Sequence, residues 1–228
     1  MLRIGLFFAA FLFSACKGSS APIAVAVSIP PLYDLSRRIV GEDGRVVLLA
    51  SEPDADHTFS IMSSRTAELA SSKLCVIVGL GLDESIGQLA KKNELRTLRV
   101  GDRVPTLPMG DRVNPYVWLD PSRAQLIVKA LAEELAKVDP SHAAKFRKRG
   151  QELEQSLAKI DEQLEAKEYV RAIEWIDPQL LYFVDRYRIT WKGTTALGSR
   201  NVDPFGKEGE SYEALVQRTA EAFAQKGP

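Results

Sequence analysis

The chain has 228 residues, of which 45% are hydrophobic, and its 30 lysine and arginine residues are balanced by 30 aspartate and glutamate residues. A chain of this length accommodates one large domain or two small ones. Because the charges cancel and no long block of like charge occurs, the composition excludes a nucleic-acid binder, which normally carries a basic excess or a basic stripe.

The first fifteen residues have the pattern of a secretory signal peptide. Arg3 gives a positive start, and residues 4–13 form an uncharged apolar run. A membrane-spanning helix needs about 20 apolar residues, so this shorter run fits the apolar region of a signal peptide instead. Small residues then precede Cys16, as in a lipobox, where cleavage before the cysteine is followed by acylation of its sulfur. We therefore expect an exported chain with a signal peptide over 1–15, a lipid on Cys16 and a polar tether over 16–22. The alternative is an ordinary signal peptide with an incidental cysteine.

Apolar runs rich in Val, Ile and Leu alternate with helical patterns over the next hundred residues. The predicted strands are 24–29, 46–50, 74–78, 96–100 and 116–119, and the predicted helices between them are 31–40, 60–71 and 83–92. Such alternation predicts a mostly parallel sheet with helices on both faces, and ligands of such sheets bind beyond the carboxyl ends of the strands. Cys75 falls inside the third strand, where we expect a buried, small hydrophobic side chain and no disulfide framework.

The second half of the chain is mostly helical. A helix is predicted over 123–138, and Asp139-Pro140 supplies an N-cap and a first helical proline for the next one. One apolar stripe predicts a helix of about 25 residues that packs on neighbouring structure. A coiled-coil dimer is the alternative, but the stripe has too few heptads, and we expect a monomer. The stripe consists of Phe146, Leu153, Leu157, Ile160 and Leu164. A strand over 172–176, a helix over 179–187, a strand over 188–191 and a helix over 210–225 follow.

Four segments stand out by their amino-acid sequence. They are Asp54-Ala55-Asp56-His57-Thr58-Phe59, the stretch 74–84 with its Gly79-Leu80-Gly81-Leu82 turn, Asn114-Pro115-Tyr116-Val117-Trp118-Leu119-Asp120-Pro121, and Val202-Asp203-Pro204-Phe205-Gly206. In order, spacing and residue identity they resemble the metal-binding receptors of zinc and manganese ABC importers, a class of receptors with a helical backbone between the two lobes. The resemblance extends over nearly all of the chain after the signal peptide.

The resemblance implies an α/β fold of two Rossmann-like lobes with mostly parallel sheets, joined by one long backbone helix. On this basis the N-terminal lobe covers 23–122, the helical region with the linking helix covers 123–168, and the C-terminal lobe covers 169–228. Only eleven residues lie between Trp191 and Asp203, fewer than the resemblance implies, so we expect a reduced second lobe. The implied role is to bind a transition-metal ion in the interlobe cleft and to deliver it to an ABC permease with its ATPase, while the lipid holds the receptor at the membrane.

The same resemblance places metal ligands at His57, Tyr116, Asp177 and Asp203. Tyr116 replaces a histidine of the family, and Asp177 stands where the family has His or Glu. Each residue also has a structural alternative. His57 is equally placed for a surface or N-cap role, Tyr116 for filling the cavity left by a histidine, Asp177 for an N-cap before Pro178, and Asp203 for a turn. His142 lies in a polar helix, where we expect a solvated side chain.

This donor set is rich in oxygen, which favours manganese or iron over zinc as the bound ion. The loop 104–113, which is often histidine-rich in the zinc receptors, contains no histidine here. A phenol has a pKa near 10, so Tyr116 coordinates only a metal acidic enough to remove its proton, such as ferric iron. The sequence contains no nucleophile elbow, no paired histidines at helical spacing and no Cys–His pair, so we find no arrangement for catalysis in it. The competing hypothesis is a family member that has lost metal binding and acts as a structural or interaction lipoprotein.

Overall fold

Four parallel strands form the central sheet in the first half of the computed structural model, which describes residues 22–50, 52–53, 58–170, 172–194 and 202–224. The strands are β1 (Ile23–Val27), β2 (Gly44–Leu48), β3 (Leu74–Ile77) and β4 (Thr97–Arg99). Their spatial order is β2-β1-β3-β4, and neighbouring strands run parallel. Every residue of β1 and β3 is buried, as in a parallel sheet covered on both faces. Four of the five predicted strands and the α/β arrangement are thus confirmed.

Helices and a small hairpin surround this sheet. They are α1 (Pro30–Val40), α2 (Thr66–Ala70), α3 (Glu84–Lys92) and the antiparallel strands β5 (Pro108–Met109) and β6 (Arg112–Val113). Pro30 and Pro31 occupy the first positions of α1, where a missing N–H costs no helical hydrogen bond. Gly41 ends α1 with a φ of 57°, a left-handed conformation that favours glycine. The helix predicted over 60–71 is shorter in the structure, because Ser63–Arg65 forms a 3₁₀ turn before α2.

The segment 116–119, predicted to be a fifth strand, contains a buried 3₁₀ turn, Val117–Leu119. The strand prediction was wrong because the segment closes its hydrogen bonds locally. The side chain of Asn114 accepts the N–H of Tyr116 at 3.0 Å, and the next N–H donates to the carbonyl of Pro115 at 2.9 Å. The apolar side chains of the segment are buried as part of the core, although its backbone joins no sheet.

Two long helices, α4 (Pro121–Val138) and α5 (Ala143–Glu165), pack against each other along their length. A Cβ atom at Gly150 would lie 2.6 Å from the Cβ of Ala132, so only glycine permits this approach of α5 to α4. The predicted apolar stripe of α5 is buried at Phe146, Leu153, Leu157 and Leu164. α5 also contacts α1 and the helix Tyr212–Phe223, so the long helix touches elements from both ends of the chain.

Asp139 does not begin α5, contrary to the prediction. Its N–H donates to the carbonyl of Leu135 at 2.9 Å and so ends α4. Its carboxylate accepts a hydrogen bond from the hydroxyl of Ser141 and lies 2.7 Å from Nδ1 of His142. The carboxylate is therefore used within the connection, and α5 begins three residues later than a cap at Asp139 would require. His142, predicted to be solvated, has a side chain only 22% exposed.

The last part of the chain forms a small parallel sheet and two helices. These elements are β7 (Ala172–Ile176), α6 (Leu181–Arg186), β8 (Thr190–Thr194) and α7 (Tyr212–Phe223), and β7 pairs with β8. The N-terminus of α7 is attached to α1, because the N–H of Tyr212 donates to the carboxylate of Asp34 at 3.0 Å. Cys75 is fully buried, as predicted, and burial raises the pKa of its thiol to about 12. Within the described ranges, no helix has both the length and the apolar character needed to cross a membrane.

Candidate metal-binding site

Four aromatic side chains from three separate segments form a buried cluster, Phe59, Tyr116, Trp118 and Phe205, called here the aromatic cluster. Phe205 is central to it: its ring centroid lies 4.8 Å from that of Phe59 and 5.4 Å from that of Tyr116. The Phe205–Trp118 distance is 6.0 Å, and the Tyr116–Trp118 distance is 5.4 Å. These are the separations of directly packed aromatic pairs. The cluster therefore joins three of the four segments singled out in the sequence.

The fourth segment, 74–84, and the residue after it form hydrogen bonds with the backbone of Phe59 in the cluster. The N–H of Phe59 donates to the carbonyl of Leu82 at 2.8 Å, and the hydroxyl of Ser85 donates to the carbonyl of Phe59 at 3.2 Å. Residues 79–81 have φ values of 78°, 55° and 88°, a left-handed run that two glycines make accessible. The buried carboxylate of Asp83 accepts two backbone N–H groups at the start of this turn, at 2.8 and 2.7 Å, and burial raises its pKa. This turn fixes the chain that follows His57.

His57 itself, like residues 54–56, lies outside the described residues. Phe59, two residues later, is anchored as described above and is fully buried. The other histidine, His142, occupies the N-cap position of α5, and its Nδ1 lies 2.7 Å from the carboxylate of Asp139. Among the residues that the structure does describe, no three His, Cys, Asp or Glu side chains are arranged to hold a metal ion.

Tyr116 is 3% exposed and packs beside Trp118, as the cavity-filling alternative predicted. Burial, and secondly the negative charge of Asp177, raise the pKa of the Tyr116 phenol well above its usual value. The folded protein therefore keeps this phenol protonated at neutral pH. A metal ion that uses Tyr116 as a ligand must displace a strongly held proton.

Asp177 follows β7 and acts as an N-cap, because its carboxylate accepts the N–H of Gln179 at 2.9 Å. Its charge is close enough to influence the phenol of Tyr116. Asn114, which is fully buried, connects the two positions. Its side chain accepts the N–H of Tyr116 and donates to the carbonyl of Pro178 at 2.8 Å.

Asp203 is exposed and forms the turn that the sequence also allowed, since its carboxylate accepts the N–H of Phe205 at 2.9 Å. The indole N–H of Trp118 donates to the carbonyl of Pro204 at 2.8 Å. A guanidinium N–H of Arg218 in α7 donates to the carbonyl of Asp203 at 3.0 Å. One carboxylate hydrogen bond leaves further acceptor sites on Asp203, so the turn does not exhaust its capacity to bind a cation.

Asp203 opens onto a cleft of about 690 Å³. The cleft is lined by Glu52, Pro53, Gln179, Asp203, Pro204, Phe205, Gly206, Lys207 and Glu208. Sequence reasoning assigned no role to Glu52 or Glu208, which add carboxylates to the rim. The position of Glu52 shortly after β2 was a usable signal, because ligands of parallel sheets lie beyond the carboxyl ends of the strands. The role of Asn114 as a connector depends on a contact across 64 residues and had no such signal.

Comparisons with known proteins extend this picture. Residues 25–204 match the family described as ZnuA, the periplasmic component A of a zinc-uptake complex. The manganese-binding lipoprotein MntA of Bacillus subtilis is 22% identical over 216 residues, which cover 87% of this chain and 71% of MntA. A protein of Thermotoga maritima is 28% identical over 130 residues, and the match spans about half of that protein, 47% of its length.

A solved structure has the same fold. The Zn(II)-bound ZnuA-like domain of Streptococcus pneumoniae AdcA superposes with a TM-score of 0.74 at 14% identity. The superposition covers 89% of this chain and 97% of that domain. The chain thus has an α/β fold with parallel sheets and long helices of the type found in that ZnuA-like domain.

Proposed function

The chain belongs to the ZnuA family of periplasmic uptake-complex components, and on that premise we propose that it is the substrate-binding receptor of an ABC-type transition-metal importer. It takes up a metal ion in the cleft between a first lobe, 23–122, and a reduced second lobe, 169–228, which the helical region 123–168 links. It delivers the ion to a permease driven by its ATPase. Cys16, outside the described residues, carries the lipid that holds the exported protein at the membrane, as the likeness to the lipoprotein MntA supports.

The observation that carries this proposal is the packing of Phe205 against Phe59 and Tyr116. Phe205 follows Asp203 by two residues, and Phe59 follows His57 by two residues. Asn114 then connects Tyr116 to Pro178, next to Asp177. These contacts support a site at which His57, Tyr116, Asp177 and Asp203 meet, although the four residues are far apart in the sequence.

We propose that the bound ion is manganese or iron in preference to zinc. The set offers one imidazole nitrogen and the carboxylate oxygens of Asp177 and Asp203, and carboxylates suit manganese and other hard ions. The raised pKa of Tyr116 keeps its phenol protonated beside Mn(II), so the phenol then acts as a neighbour of the ligands. Ferric iron is acidic enough to convert it into a ligand. The proposed manganese or iron thus differs from the zinc ion bound in the solved structure of the AdcA domain.

A second candidate is a family member that no longer binds metal. The observation that favours it is that three of the four positions have structural roles: Tyr116 fills the core, Asp177 caps the turn at Gln179, and Asp203 closes its own turn. In this case the aromatic cluster stabilises the fold, and the protein acts as a structural or interaction lipoprotein.

Metal titration of the purified protein decides between the two candidates. The protein is stripped with chelator and titrated by calorimetry with Mn(II), Fe(II) under anaerobic conditions, Fe(III) as a soluble chelate, and Zn(II). The receptor proposal expects saturable binding of one ion per chain, with manganese or iron bound more tightly than Zn(II). Absence of binding to all four ions, with the protein folded by circular dichroism, favours the second candidate.

A further inference from the structure

We propose that Phe205 is the positioning residue for the carboxylate of Asp203. Its ring locks the turn 203–206 onto aromatic side chains of residues 59–118, so that the turn is in place before a metal ion arrives. The inference rests on the proposed function, because it assigns the geometry of one proposed ligand. It concerns a residue that contacts no metal and that acts through the turn it anchors.

The ring of Phe205 has the contacts that such a role requires. It is 5% exposed and packs edge-on to Phe59, with an angle of 67° between the ring planes. It also touches Tyr116 and Trp118, which belong to a different segment. A ring held from several sides has one available orientation, and this fixes the backbone of the turn to which it is attached.

The backbone of the turn is held independently at two carbonyl groups. Trp118 donates its indole N–H to Pro204, and Arg218 donates to Asp203. Arg218 is itself paired with Glu210, at 3.2 Å. Trp118 lies in the Asn114–Pro121 segment, Arg218 lies in α7, and Glu210 lies just before α7. None of these three partners comes from the β7–β8 sheet.

The turn in its held form also sets the direction of the carboxylate. One carboxylate oxygen of Asp203 accepts the N–H of Phe205, the residue whose ring is locked. Ligating carboxylates are commonly oriented by such hydrogen bonds, and removal of these supporting groups typically lowers metal affinity about 10–100-fold. A ligand that is already ordered loses less conformational freedom on binding. Phe205 thus supports affinity without touching the ion.

A double-mutant cycle tests the positioning role, with calorimetry of Mn(II) as the readout. Phe205→Ala should weaken binding about 10–100-fold, whereas in an Asp203→Asn background it should have no further effect, because the group it positions is absent. Phe183→Ala is the matched control: Phe183 is fully buried in a separate aromatic group with Tyr187 and Phe223. It should lose stability with less than a twofold change in affinity. Equal losses in the wild-type and Asp203→Asn backgrounds, or an equal loss in the control, overturn the proposal.

Hydrogen exchange of the metal-free protein separates this inference from the proposed function. Phe205→Leu keeps apolar volume and is expected to fold, but it loses the edge-on ring contact. Amide exchange over residues 203–206 should then accelerate at least tenfold, while exchange over β7 is unchanged. Phe183→Leu should leave residues 203–206 protected. If the wild type binds no metal, the receptor function fails, and exchange still decides whether Phe205 holds the turn; unchanged exchange in Phe205→Leu rejects it.

Discussion

The side-chain amide of Asn114 donates a hydrogen bond of 2.8 Å to the carbonyl oxygen of Pro178, 64 residues later in the chain. The side-chain oxygen of the same residue accepts the N–H of Tyr116. The buried turn of the first half is thereby fixed to the residue that follows Asp177. Asn114 is fully buried, and the hydrogen bond from Tyr116 lies in the core of the folded protein.

We expect Asn114→Ala to lower the free energy of unfolding by about 1–3 kcal/mol, because it leaves the buried N–H of Tyr116 without its partner, whereas the carbonyl of Pro178 keeps the N–H of Leu181. Urea denaturation followed by circular dichroism measures the loss. Asn93→Ala is the control, since Asn93 is exposed and bonds only within its own helix end. A loss in Asn114→Ala no larger than in Asn93→Ala contradicts the connecting role.

His57→Ala should abolish metal-dependent thermal stabilisation, because the imidazole is the only nitrogen ligand of the proposed set. Ligand at a hundred times its Kd stabilises a protein by about 2.7 kcal/mol, which gives a measurable shift in Tm. His142→Ala should keep the full shift, although it loses the contact with Asp139. In the wild type the affinity should weaken as pH falls below about 6.5, since the imidazole must be neutral to coordinate. A normal shift in His57→Ala would remove His57 from the site.

Tyr116→Phe distinguishes between the candidate ions. The pKa of this phenol is raised by burial and by Asp177, so Mn(II) should leave it protonated and the substitution should change the Kd for Mn(II) less than about threefold. Ferric iron should lose at least about a hundredfold in affinity, together with the visible tyrosinate charge-transfer band. A large loss for Mn(II) indicates that the phenolate coordinates after all.

Stability should fall in alkaline solution because of the buried phenols. The pKa values of Tyr116, Tyr169, Tyr187 and Tyr212 are all raised in the folded protein, chiefly by burial. Below pH 10 both states keep these protons, whereas above it the unfolded chain ionises first and the folded state is progressively disfavoured. Tyr116→Phe should reduce the steepness of this decline by up to about 1.4 kcal/mol per pH unit between pH 10 and 12. Identical slopes, obtained from urea titrations at each pH, show that Tyr116 ionises normally.

Metal loading should leave the overall shape unchanged. α5 lies along α4 with a backbone approach that only Gly150 permits, and the turn of Asp203 is held by Trp118 and Arg218. Hinge closure needs residues that absorb large changes in backbone angle, and these packed contacts restrict them. Small-angle X-ray scattering should give the same radius of gyration with and without metal. A clear decrease on loading contradicts the rigid arrangement.

The regular elements could be predicted where local chemistry determines them. Pro30-Pro31 and Gly41 mark the ends of α1, and β7 has the predicted bounds, 172–176. The segment 116–119 could not be predicted in this way. Its apolar residues suit a strand, whereas the turn is held by hydrogen bonds with distant groups, among them those of the Asn114 side chain and of the Tyr212 hydroxyl.

The candidate site was predictable only in part, for a related reason. The four motifs indicated which segments should meet, and the aromatic cluster joins three of them. The sequence indicated both a ligand role and a local capping or turn role for Asp177 and for Asp203, and the bonds from Gln179 and Phe205 show the local roles. A residue pattern could not decide whether the remaining carboxylate oxygens converge on one ion, because that depends on contacts between distant segments.

The attachment of α7 to α1 has a consequence for the order of folding. α4 and α5 are joined by only four residues, so their packing closes a short loop and is favoured early. The bond from Tyr212 to Asp34 spans 178 residues, and that from Trp118 to Pro204 spans 86. These closures cost more chain entropy and yield their contacts only after both partners are formed. The aromatic cluster is therefore expected to assemble late, when the C-terminal helix docks on a framework that is already built.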